Sequence, residues 1–205
     1  YGIFASYCGT TGCENVAIGR RALCCNSTGS MNTAIGSDAL TKATGSYNTA
    51  VGKNALFSTT SGQYNTAMGL SVMYNNTTGD KNSAFGRSAL ASNTTGCNNT
   101  AIGEKSLTNN TTGCFNTASG IYALFSNTTA TQNTAIGGCT LYANTTGVGN
   151  TAVGYQASKC NTTGKFNQAF GVSALFCNQT GCCNVAVGTN AMYANCTGNQ
   201  NVAVG

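Results

Sequence analysis

The chain of 205 residues has no histidine, no proline and no tryptophan, and only four acids, Glu14, Asp38, Asp80 and Glu104. Each absence removes a class of function. Without histidine, the Ser–His and Cys–His nucleophilic arrangements have no base. The four acids stand far apart in the repeat described below, so no carboxylate pair is offered for acid–base chemistry. No apolar run approaches the ~20 residues that cross a bilayer. Charged residues are 6% of the chain, and the net charge of +5 reflects scarce acids more than its nine scattered bases, Arg20, Arg21, Lys42, Lys53 and Lys165 among them. No basic stripe with interleaved aromatics is present, so a nucleic-acid partner is not expected. The glycine-rich stretches contain no P-loop. The expectation is a protein that is not an enzyme and holds no cofactor.

What is present is one short motif, Asn-x-Ala-x-Gly, repeated twelve times. It begins at Asn15, Asn32, Asn48, Asn65, Asn82, Asn99, Asn116, Asn133, Asn150, Asn167, Asn184 and Asn201, always 17 residues apart except for one step of 16. A fixed short period without linkers predicts a solenoid, in which each coil buries its apolar side only against its neighbours. Residues 1–205 therefore read as a single repeat domain. The chain opens at Tyr1 without Met and already inside a repeat, so no signal peptide is read in it. Gly2 and Gly205 share a phase, which suggests a segment of a longer array.

Taking the motif glycine as position 1, the coil reads Gly-x-x-Ala-Leu-x-x-Asn-Thr-Thr-Gly-x-x-Asn-Thr-Ala-Ile. Position 5 is Leu or Met in ten of twelve coils, and position 17 is mostly β-branched or large, as in Ile18, Ile35, Phe85 and Ile136. These two columns are the expected core. Asn-Thr-Thr-Gly predicts a tight turn with a positive φ at its glycine. Two short strands per coil are expected, over Asn-Thr-Ala-Ile and around Ala-Leu, which are too brief and too Gly-punctuated for helix. The fold class is thus all-β, a parallel β-solenoid (narrow β-roll or β-helix) of about twelve 17-residue coils.

The position-14 asparagines, Asn15 through Asn201, occur in every coil and predict an amide ladder along the rod. Asn-x-Ser/Thr matches at position 8 make Asn26, Asn76, Asn93, Asn110, Asn127, Asn144, Asn161, Asn178 and Asn195 candidate N-glycan acceptors, with further matches at Asn75, Asn98 and Asn109. Plain turn chemistry is the alternative for the same asparagines, because sugars on every coil would be only ~5 Å apart. Twelve cysteines without histidine suggest an oxidising compartment rather than zinc. Phase pairs Cys8 with Cys25, Cys97 with Cys114, and Cys160 with Cys177, each one coil apart and so about 5 Å between Cα atoms, within disulfide range. Cys13, Cys24, Cys139, Cys182, Cys183 and Cys196 have no such partner. Aromatics at position 6 (Tyr7, Phe57, Tyr74, Phe125, Tyr142, Phe176, Tyr193) are expected to point outward as a stripe for contact with identical chains or a carbohydrate.

The segments Asn133 to Gly137 and Asn144 to Gly147 show the string that resembles repeats of trimeric autotransporter adhesin heads and of related phage or bacterial tail-fibre proteins. The resemblance runs the length of the chain. It implies a β-roll, three chains side by side, and surfaces that attach to a host or matrix. The 17-residue coil, longer than the common head repeat, and the many cysteines depart from that pattern. The leading expectation is an extracellular structural fibre protein, on a cell or virion surface, whose solenoid joins identical subunits end to end, stapled by disulfides and carrying N-glycans. The competing expectation is an adhesin or receptor-binding head for host or matrix carbohydrate. A third is ice binding through the Thr row at position 15, which includes Thr100, Thr117, Thr134 and Thr151.

Overall fold

A computed structural model describes residues 1–9 and 11–205. Twelve three-residue strands run from β1 (Val16–Ile18), β2 (Thr33–Ile35) and β3 (Thr49–Val51) to β12 (Val202–Val204). They form one sheet in chain order, each parallel to the next and in register. Ala pairs with Ala at every step, as Ala101 does with Ala118. The chain is a parallel β-solenoid, and at ~4.8 Å per strand its twelve coils make a rod on the order of 58 Å long. The 16-residue coil keeps strand register, with Thr33 opposite Thr49, because the missing residue comes out of the turn at Ala43-Thr44-Gly45.

Each coil carries one strand, not two. Positions 1 to 7 form a bent ribbon, with left-handed backbone at positions 3 and 5 and again at position 13. Leu23, Leu40 and Leu124, all at position 5, have φ of 51°, 48° and 52°. Such a φ costs an ordinary residue about 1–2 kcal/mol. The ribbon is held because its amides bond along the rod in both directions. Arg21 N–H donates to the Ile3 carbonyl of the coil before it, and Leu23 N–H to the Ala39 carbonyl of the coil after. At position 13 the one exception to side chains is Gly149, which has the same left-handed sign, φ 68°.

Two glycine columns have distinct causes. The motif glycine requires φ near 130°, and a Cβ on Gly19 would stand 2.6 Å from the Gly36 carbonyl oxygen. The turn glycine at position 11 is not in the left-handed region expected of it. It is needed for close approach instead, since a Cβ on Gly62 would lie 2.7 Å from the Gly79 carbonyl oxygen.

The core consists of the position-5 Leu column with Ala at positions 4 and 16, fully buried in all but the two end coils. Position 17, expected to be core, lies outside. Ile102 is 45% exposed and Ile136 43%, whereas Ala101 and Ala135 beside them are 0%. Alternation within the strand explains this: in Thr-Ala-Ile only one side chain faces in, and the interior is so narrow that it is the alanine.

Candidate functional site

Three columns carry the chemistry of this rod: two lines of buried asparagine and one exposed apolar face. The motif asparagines, Asn15 to Asn201, point inward. In each of the coils from Asn65 onward, the Asn side chain and its own backbone N–H both donate to Oδ1 of the Asn one coil earlier. For Asn116 these distances to Asn99 Oδ1 are 3.1 and 3.0 Å, and its second N–H reaches the Ala130 carbonyl at 2.8 Å. The amide therefore spends both donors, and its oxygen accepts two bonds from Asn133.

The turn asparagines, read from sequence as sugar acceptors, form a second ladder. Asn76, Asn93, Asn110, Asn127, Asn144, Asn161 and Asn178 are 0% exposed, Asn26 is 1%, and Asn195 is partly buried. Asn110 Nδ2 donates to Asn93 Oδ1 at 2.8 Å and to the Gly113 carbonyl at 3.0 Å, and Asn127 repeats the pattern one coil on. A glycan has no room at these nitrogens. Of the twelve matches, the two whose side chains are exposed are Asn75 and Asn98, with Asn109 half-buried. The ladder runs unbroken from Asn76 to Asn195 and is interrupted earlier by Ala43 and Thr59, whose buried hydroxyl has no partner. Threonine hydroxyls of position 9 add a third line of bonds, as in Thr94 to the Thr111 carbonyl at 3.1 Å.

All twelve cysteines are free thiols. Cys97 and Cys114 bring their sulfurs to 2.8 Å, and burial pushes the Cys160 thiol above its ordinary pKa, with the nearby Cys177 adding to it. Burial pushes the Cys114 thiol above its ordinary pKa, with the neighbouring Cys97 adding to it. Cys24 is raised in the same way by burial and by contact with Cys25. At the other end of the scale, Asp38 is almost fully buried. Burial alone would raise its pKa, but hydrogen bonds from Ser37 and Arg21 and the charge of Arg20 outweigh it and hold it below the usual carboxylate range.

The position-6 aromatics are half-buried except Tyr7 and Tyr193, and they satisfy one another instead of forming an open stripe. Phe57 stacks on Tyr74, Phe125 on Tyr142 and Phe176 on Tyr193, at 4.9–5.1 Å between centroids. Lys42 and Lys159 cover the outer faces of Phe57 and Phe176. The open apolar surface is the sheet face, where position 17 presents Ile35, Met68, Phe85, Ile102, Ile136 and Phe170 at 36–45% exposure. Beside this column lie the half-buried threonines of position 15, so Thr alternates with large apolar side chains across the face. The sequence signal for this face was the invariant alanine: a strand with one inward side chain must turn both neighbours out.

Compared with protein-family models, curated proteins and solved structures, the chain matches none.

Proposed function

We propose that the chain is a stretch of an extracellular structural fibre, a stiff rod that identical chains extend and thicken. The observation that supports it is the column 17 face on a rod whose coils are bonded to one another along its length. Strands ~4.8 Å apart and outward columns ~7 Å apart give a flat face on the order of 400 Å². That is about half of the ~800 Å² each partner contributes to a standard interface, so a longer array or more than one such face is needed for a stable contact, and a second copy of this chain offers the same flat, uncharged, evenly spaced rows. Contact along the axis has a source too. In the motif column the Asn Oδ1 faces one end of the rod and the Asn N–H groups the other, so coil edges of opposite sense are complementary there.

The test measures mass in solution by sedimentation and shape by electron microscopy, for the native chain and for the double variant Ile102→Lys with Ile136→Lys. Native chains should form multi-chain rods, and the double variant single solenoids of unchanged secondary structure. A native chain that stays monomeric at tens of micromolar overturns the reading. The adhesin reading is favoured by the exposed rings of position 13, with Tyr47 stacked on Tyr64 at 4.8 Å and Phe115 and Phe166 on later coils. Carbohydrate-array binding that is lost in Tyr64→Ala would establish it.

A further inference from the structure

We infer that this chain folds where no oligosaccharyltransferase meets it, so that it is made and coiled in the cytosol, or in a cell lacking that enzyme, before it reaches any outer surface. This goes beyond the fibre reading and does not rest on it.

The argument starts from the turn column. Nine of the twelve coils carry Asn-x-Ser/Thr at position 8, and in eight of them the asparagine is 0–1% exposed. Transfer of a glycan forms a bond from the amide nitrogen to the sugar C1. It breaks the C1–O bond to the polyprenyl pyrophosphate carrier, and the nitrogen gives up one proton to the enzyme. One of its two N–H donors is then a sugar carbon. In this ladder both donors are in use: Asn144 Nδ2 bonds Asn127 Oδ1 at 3.1 Å and the Gly147 carbonyl at 3.0 Å. The lost bond strands a buried acceptor, and the sugar occupies space filled by the next coil.

The transferase acts on extended chain as it enters the secretory lumen, before a long-range solenoid can protect its turns. A coil here is completed only by its neighbour 17 residues on, as Thr111 N–H on the Thr128 carbonyl shows. Acceptors would therefore be offered in sequence, all with exposed hydroxyl residues at position 10, and each modified coil would fail to stack. A chain with this interior can reach its fold reliably only out of that enzyme's reach.

The experiment compares three products: the chain made in bacterial cytosol, the chain sent by a signal peptide through a glycosylating secretory pathway with and without tunicamycin, and a variant with the nine position-10 threonines, Thr28 to Thr197, changed to Ala. Site occupancy is read by mass spectrometry and the fold by circular dichroism and protease resistance, which do not depend on self-association. The cytosolic chain should be folded. The secretory chain should carry glycans at position 8 and be unfolded, with tunicamycin or the Thr→Ala variant restoring the resistant solenoid. Glycans at Asn75 and Asn98 on the folded variant report that the transferase was active. A secretory chain that is folded, whether glycosylated at position 8 or bare there, overturns the inference. So does a chain that stays unfolded under tunicamycin.

Discussion

Asparagine at positions 8 and 14 carries, on a short stem, two donors and one double acceptor that match what a stacked coil offers: an amide above, an amide below and a turn carbonyl at the side. Changing Asn116 to Ala removes the acceptor for two bonds from Asn133 and the donor to the Ala130 carbonyl. A loss of about 3–5 kcal/mol is expected, read as a lowered denaturation midpoint. The opposite change is available at Thr59, a buried hydroxyl without a partner that holds the turn column one coil before Asn76. Thr59→Asn should extend the turn ladder and stabilise by about 1 kcal/mol, a rise of roughly 2–4 °C in calorimetry. Asp38 sets the acid response. Its folded pKa is depressed, so its contribution is present above the ordinary carboxylate value and is lost as pH falls through the lower folded value. The gap in melting temperature between native chain and Asp38→Asn should hold from pH 7 to ~4 and close below it. Position 14 was legible as a ladder because the residue never varies. Position 8 was not, because Asn-Thr-Thr-Gly makes the same turn whether its amide faces water or the next coil.

The strand is the element at which sequence and structure part. A β-branched residue beside an invariant alanine reads as core by hydrophobicity, yet period two admits only one of the pair, and the close spacing of opposite walls selects the smaller. The fold class and register followed from the 17-residue period alone, whereas the direction of each side chain required knowing how narrow the interior is. Two substitutions separate the columns. Leu124→Ala, at a fully buried site, should cost about 2–5 kcal/mol. Ile102→Ala, on the open face, should stay within about 0.5–1 kcal/mol in a dilute single chain. The paired thiols belong to this scale as well, since adjacent coils set their distance. Burial raises the Cys114 thiol, and the thiolate is the attacking form, so oxidation of Cys97 with Cys114 should be slow at neutral pH and quicken as pH rises towards and past the ordinary thiol value. Peptide mapping under a mild oxidant checks this.

For the molecule as a whole, stability is a sum of coils and of contacts between neighbours, so a weak interface anywhere divides the rod. The N-terminal coils have such a weakness. Their turn column reads Gly9, Asn26, Ala43 and Thr59, and so offers no continuous amide line, while the eight coils from Asn76 onward share one. The motif ladder is also thinner there. Asn32 and Asn48 reach the Asn before them through the backbone N–H, and the side-chain bond joins only from Asn65. Local opening should therefore begin in the first four coils and stop near Asn76. Hydrogen exchange read coil by coil would show it as faster exchange of the amides of Leu23, Leu40 and Leu56 than of Leu107, Leu124 and Leu141, although all six stand in the same buried column. Thr59→Asn should slow exchange in the fourth coil and leave the second unchanged, because Ala43 still breaks the line between them. Uniform protection across all twelve coils would mean that the amide ladders do not set the rod's local stability, and that the Leu column alone does.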